Sequence, residues 1–410
     1  MSVTGVAVSV ALTGCQATAV GEVAPTVDAG DPATGAATPT SATTPAPTTT
    51  PAPTNTPTPL PRTFTVASTG DPLLHQAWWY QAQDDALVTG NGDMDFGPSI
   101  ASTAAITQAA DLAICHFETV LAPLGGPYSG YPMFSSPPQI VPALKAAGYD
   151  VCATASNHTF DQGAEAIDRT LGFLDEAGIA HTGSASTPEA ANTPLIIAVP
   201  TPRGPVAVAN LSYTFSFNGM PYPNGETWRA NAIDVPAILD EAARAKAAGA
   251  DVVILNMHWG TEYSQSANEE QIAQAQALTA SPNIDIILGG HAHVVQPIAV
   301  VNGKWVTYGH GNLFGCHREP GTPREEGLLT RFTFTETADG RFTVNDAEYV
   351  PLLTTCGPTR PHRVMNIPVA LATGDYGVYG QDRLEVALAR TTEVVNSLGA
   401  GDQGLRPLSQ

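Results

Sequence analysis

ILGGHAHVVQP, residues 287–297, sets two histidines one residue apart at the end of an apolar run. Ile286-Ile287-Leu288 reads as a buried parallel strand, and Gly289-Gly290 lets the backbone turn sharply where it ends. Ligands of open α/β sheets bind beyond the carboxyl ends of strands. Two imidazoles spaced i, i+2 on an extended segment point the same way and can share one metal cluster. A polar loop with two surface histidines is the competing reading of this stretch taken alone. The rest of the chain decides between them.

Working outward, the same pattern recurs. Strand 63–69 ends at Gly70-Asp71, an apolar-periodic helix falls around 98–109, and strand 111–117 follows. A helix over 137–148 has proline at its start and glycine at its end, and leads into strand 149–156 and Asn157-His158. Helix 163–177, short strands through 195–211, helix 235–249, strand 251–257, helix 268–280 and strand 283–290 complete the run. This alternation predicts a layered α/β sheet covered on both faces. Beyond 298 come strand-like segments at 298–309, 326–336 and 341–350, then a helix at 383–398.

Metal-capable side chains fall at one place in this pattern. Asp71, Glu118, Asn157, His258, His291 and His293 each lie at or just past the C-terminal end of an expected strand. Oxygen and imidazole donors together suit Mn, Fe or Zn and suit Ca poorly. The set is large enough for one or two divalent metal ions, and a pair can clamp an in-line phosphoryl displacement.

Composition narrows the partners. The 410 residues carry a formal net charge of -21, with lysine only at 145, 246 and 304. Nucleic acid and anionic lipid head groups both need a basic footprint, so neither is expected. No run of eighteen apolar residues is long enough to span a membrane. Residues 6–16, VAVSVALTGCQ, look like a bacterial lipobox, although no Lys or Arg precedes them. The expected organisation is a signal peptide over 1–15 ending at a lipidated Cys15, then a disordered Thr/Pro/Ala-rich stalk over 16–62. A folded domain over 63–350 and a C-terminal extension over 351–410 packing on it would follow. Such a chain would sit outside the cytoplasm, touching the membrane through its lipid alone. Cys316 and Cys356 lie in loop-like segments and could form a disulfide, whereas Cys115 and Cys152 fall inside apolar strands and are expected as buried thiols.

Six segments carry a resemblance. GDPLLH (70–75), DLAICHFETVL (111–121), ASNHTFDQG (155–163), MHWGTEY (257–263), GGHAHVVQP (289–297) and VTYGHGNLF (306–314) occur in this order. Together they resemble the CapA family of poly-γ-glutamate capsule biosynthesis proteins. The resemblance implies a calcineurin-like metallophosphatase fold, a layered β-sandwich flanked by helices. It makes Asp71, Glu118, Asn157, His258, His291 and His293 the metal-ligand positions. It places His158 as the residue that protonates a leaving group or steadies a phosphoryl oxygen. Asp161 could orient His158, or cap the helix that follows. Trp259 is expected to pack, and Gln296 to hold a loop.

Two departures stand out. Typical metallophosphatases open with Asp-x-His, but here Asp71-Pro72-Leu73 places a histidine only at 75. His116 stands where the usual motif has Asn, in a packing or supporting role or as a replacement ligand. The expected function is metal-dependent hydrolysis in capsule or cell-envelope polymer metabolism, alongside the capsule-synthesis machinery. The alternative is a non-catalytic polymer-binding or export accessory. An anionic polymer or phosphoester substrate needs local cations, for which Arg318 and Arg324 are the candidates, with Arg360, His362 and Arg363 beyond them.

Overall fold

Strand Thr63–Thr69 buries Phe64 and Val66 in one core and Ala67 in another. Leu112–His116 divides in the same way, with Leu112 and Ile114 on one side and Ala113 and Cys115 on the other. Both faces of these strands are apolar, so both need cover. The computed structural model, which describes residues 60–316, 321–356 and 359–409, shows what covers them. Cys15, the stalk to residue 59 and Arg318 lie outside the described residues.

The alternating strands form two sheets rather than one. The larger runs in the order Val364–Asn366, Phe342–Thr354, Glu326–Glu336, Thr63–Thr69, Leu112–His116, Val151–Ala153 and Ala180–Thr182, with Leu405–Pro407 paired to Phe342–Thr354. The smaller runs Ile298–Val301, Lys304–Thr307, Ile286–Gly290, Val252–His258, Val206–Thr214 and Leu195–Val199. The chain changes sheet after Ala180–Thr182, because Val252, Ile254, Ile286 and Leu288 close the same core as Phe64, Val66, Leu112 and Ile114. Helices Gln76–Thr89, Gly97–Thr107, Ile140–Ala146 and Gly163–Glu176 pack on the outer face of the larger sheet. Val235–Ala247 and Glu269–Thr279 cover the smaller sheet, against Val253, Leu255 and Ile287. The result is a layered metallophosphatase-like sandwich flanked by helices.

Three expectations need correction. Residue 350 is no boundary, since it lies inside strand Phe342–Thr354, and the segment beyond it adds two further strands to the larger sheet. Helix Gln76–Thr89 was not foreseen. It buries Trp78, Trp79, Ala82 and Ala86 but exposes Tyr80, Leu87 and Val88, so apolar residues fall on both sides of the helix and mark no single face, and His75 gives it no side-chain cap. Finally, Cys115 and Cys152 are bonded to each other, because the parallel register of their strands sets them opposite, with Cα atoms 4.6 Å apart.

Cys316 is bonded to Cys356, closing a separation of 40 residues. Each bridge can contribute about 2–4 kcal/mol by restricting the unfolded chain. The purified chain, unfolded without reductant, should therefore show no reactive thiol from these four positions. Counting two or more in a chain whose fifth cysteine is Cys15 would contradict the pairing. Among the described residues no helix is long and apolar enough to cross a membrane.

Candidate metal centre

Strand ends from both sheets deliver the candidate ligands to one place. Asp71 opens the two-residue strand Asp71–Pro72, paired with Asn312–Phe314. Glu118 and Asn157 follow strands Leu112–His116 and Val151–Ala153, His258 is the last residue of Val252–His258, and His291 is the first after Ile286–Gly290. Gly290 is required here, since a Cβ on it would lie 2.5 Å from Asp71 Oδ1 and 2.6 Å from His116 Nδ1. The segment beyond it is not extended. His291 and His293 both adopt positive φ, 86° and 55°, a conformation that non-glycine residues rarely take and that is found at functional sites. Their rings still converge, with centroids 5.8 Å apart.

The six side chains are all buried. Asp71 Oδ2 accepts the His291 main-chain N–H at 2.9 Å and lies 3.8 Å from His293 Nδ1. Its other oxygen lies 4.0 Å from both His258 Nδ1 and His116 Nδ1. Glu118 Oε1 is 3.6 Å from His293 Nε2 and 3.9 Å from His258 Nε2. Asn157 Oδ1 meets His258 Nε2 at 2.8 Å, and His116 Nε2 meets His258 Nδ1 at 3.2 Å. Donor atoms group as Asp71, His116 and His258, and as Glu118, His291 and His293, each within 4.8 Å.

Burial sets the electrostatics. It pushes the Asp71 carboxyl up to about 7, against the lowering effect of the His291 N–H. Glu118 is raised well above its usual value by burial, then by Asp71, Glu262 and Asp161. The imidazoles move the other way. Burial lowers His258 well below its usual value, with His291 adding to it, and takes His293 to about 4 and His116 to about 3. Every shift favours an uncharged form, as a low-dielectric site requires.

These residues fit a divalent cation. Among the described residues, Asp71 Oδ1, both Glu118 oxygens and His291 Nδ1 are buried without a hydrogen-bond partner. Unpartnered buried carboxylate oxygens cost several kcal/mol unless they face a cation. Neutral imidazoles beside carboxylates are the donor set of Mn, Fe or Zn. Metal binding should displace the protons that burial holds on Asp71 and Glu118, so apparent affinity should rise with pH, by about tenfold per pH unit for each proton displaced. Calorimetric Mn titrations at about pH 6 in two buffers of different ionisation enthalpy measure that release. Equal heats in both would contradict it.

Beside the cluster, His158 Nδ1 lies 2.7 Å from Asp161 Oδ2, which also accepts the Phe134 main-chain N–H at 2.7 Å. Asp161 caps no helix: the cap of Gly163–Glu176 is Gln162, without a side-chain bond. His158 and His293 line a cavity of about 660 Å³, together with Glu262, Tyr263 and His75. Tyr263, which lines that cavity, carries the Arg324 guanidinium 4.0 Å from its ring centroid. Arg360 and Arg363 are neutralised elsewhere, by Asp84 and Asp85, and form no patch here. Trp259 is buried with its indole N–H on Tyr308 O, and Gln296 bonds Gln271 and Ser264.

Two residues acquire a larger place than sequence reasoning gave them. His116, expected first as a supporting residue, has its ring among the cluster's donor atoms. Asn312, unremarked, holds His293 Nδ1 at 2.9 Å through Oδ1. Its place in the segment VTYGHGNLF was the only signal.

Facing sheets with outer helices, and oxygen and imidazole donors gathered where strands end, define a metallophosphatase-like protein. The chain belongs to the family described as "Bacterial capsule synthesis protein PGA_cap", which matches residues 65–315. It is 30% identical to "Capsule biosynthesis protein CapA" of Bacillus anthracis, over 44% of this chain and 43% of that protein. It is 28% identical to "PGA biosynthesis protein CapA" of Bacillus subtilis (strain 168), over 50% and 52%. A "Probable polyglutamine synthesis accessory protein" of Mycobacterium tuberculosis (strain ATCC 25618 / H37Rv) is 29% identical, over 57% and 63%. The matches thus span about half the length of these relatives, from 43% to 63%. Among solved structures, the calcineurin-like phosphoesterase YfkN of Bacillus subtilis aligns over 81% of this chain and 97% of its own, at 17% identity and TM-score 0.42.

Proposed function

We propose that this chain is a lipid-anchored, extracytoplasmic hydrolase of the phosphoesterase type, acting on an anionic capsule or cell-envelope polymer beside the machinery that makes it. The observation that supports it most is the set of unpartnered buried donor atoms of Asp71, Glu118 and His291, set beside a carboxylate-held His158 at an open cavity. Asp71, Glu118, Asn157, His258, His291 and His293, with His116, would hold one or two Mn, Fe or Zn ions, which supply Lewis acidity toward a phosphoryl or acyl oxygen. Asp161 fixes the imidazole of His158 by accepting a hydrogen bond from its Nδ1–H, which turns Nε2 toward the substrate; the ring doubly protonated would give its Nε2 proton to a leaving group and keep the Nδ1 proton hydrogen-bonded to Asp161. Arg324, on Tyr263, would pair with acidic groups of the polymer, and Arg318 is proposed to join it.

Turnover of p-nitrophenyl phosphoesters by the metal-loaded full chain, abolished by a chelator, tests the reading. A second reading, an accessory that binds polymer without cleaving it, draws on the printed name of the mycobacterial relative. Polymer binding with no turnover of phosphoesters or of a γ-glutamyl polymer would favour it. Anchoring is tested separately. Cys15→Ser should move the chain from the membrane to the soluble fraction, and unchanged membrane association would refute a lipid at that residue.

A further inference from the structure

Among the described residues, which hold every Phe, Trp and Tyr of the chain, four of these side chains are exposed: Tyr80, Tyr131, Phe215 and Tyr263. They come from four separate segments, yet each is tied to the candidate metal centre. Tyr131, 78% exposed, and Tyr263 line the cavity beside His158 and His293. Tyr80 accepts a hydrogen bond at 2.9 Å from Gln76, which lines the same cavity. Phe215 stands outside that cavity, with its ring centroid 4.4 Å from that of His291. Single exposed apolar residues are ordinary, but aromatic ones gathered around one site mark a contact surface.

Tyr131 and Phe215 are set in place before a ligand arrives. Ser129 and Ser135 exchange main-chain hydrogen bonds at 3.0 and 2.9 Å, so Tyr131 stands at the tip of a closed loop. The Phe134 N–H of that loop bonds Asp161, the carboxylate that holds His158. The Phe215 N–H donates to the His258 carbonyl at 3.0 Å. Little backbone ordering therefore remains to oppose binding at either ring. A phosphoester that fills the cavity alone leaves Phe215 uncovered. A ligand that meets both rings runs past the reacting group, as an internal unit of a chain does.

We propose that the site binds internal units of a phosphodiester-linked polyol chain, with Tyr131 and Phe215 packing on the units that flank the reacting phosphoryl group. The proposal rests on the phosphoesterase reading above, which makes the reacting group a phosphoryl. The part of the chain left for the rings is then neutral and presents C–H groups. A γ-glutamyl unit would instead bring a carboxylate against an apolar ring, at a cost in lost hydration. Hydrolysis would join the oxygen of water to phosphorus and break one ester P–O bond, with one proton of the water passing to the leaving oxygen. One fragment would end in a phosphate monoester and the other in a hydroxyl.

Binding is measured by calorimetry on the metal-loaded full chain with poly(glycerol phosphate), each variant being compared at wild-type metal content. Tyr131→Ala and Phe215→Ala should each weaken it about tenfold, the loss of one aromatic contact. Tyr131→Phe, which keeps the ring, should recover most of the affinity. Wild-type affinity in either alanine variant, or no binding of the polymer by the wild type, would overturn the proposal. Ring-dependent binding of poly-γ-glutamate with none of poly(glycerol phosphate) would overturn the polyol class. Products sized by gel filtration should show fragments of intermediate length before free glycerol phosphate. Glycerol phosphate appearing first would place the attack at chain ends and overturn the binding of internal units. Ring-dependent binding of poly(glycerol phosphate) without cleavage would contradict the hydrolase reading alone.

Discussion

His291→Ala/His293→Ala should purify folded and nearly free of metal. Both rings are buried in the cluster, and His291 Nδ1 has no hydrogen-bond partner to lose among the described residues. Alanine meets the same positive φ that histidine already tolerates at both positions, so the substitutions add no new backbone conformation. Removing a supporting partner of a metal ligand costs about ten- to hundredfold in affinity, and removing two ligands should exceed a hundredfold. Circular dichroism melting confirms the fold, and elemental analysis reads the metal. Wild-type occupancy in this variant would show that the two imidazoles ligate nothing.

His158→Asn separates chemistry from binding. The ring touches Asp161 and Phe134, and it belongs to neither group of clustered donor atoms. Its loss should leave metal content and melting temperature near wild type while kcat falls by about two to four orders of magnitude, the range for a general acid. Unchanged kcat would remove His158 from the reaction. Loss of metal in this variant would place the residue among the ligands instead.

Much of this was legible in the sequence because the signals are local. Strands Thr63–Thr69 and Glu326–Glu336 fall where apolar alternation puts them, and each candidate ligand lies at or just past the end of a strand readable in the sequence. What escaped depends on contacts between distant segments. The Cys115–Cys152 bond follows from the pairing register of two parallel strands 37 residues apart in sequence, and no residue pattern states that register. The split into two sheets is equally silent, since a strand buried on both faces reads the same whether a helix or a second sheet covers it. Asn312 enters the site through its pairing beside Asp71, 241 positions away by number, and His75 through the Cys316 amide, at the same separation of 241 residues. Helix Gln76–Thr89 was hidden for the opposite reason. Its buried residues Trp78, Ala82 and Ala86 keep a helical period, but exposed Tyr80, Leu87 and Val88 on the other side blur it in the sequence.

The account stands on the cluster being a metal centre, and the metal content of the wild-type full chain tests that most directly. After loading with Mn, Fe or Zn and removal of excess, elemental analysis should find one or two ions per chain, released by chelator and restored on return of the metal. A chain that binds none of the three at neutral pH, while remaining folded, would contradict it.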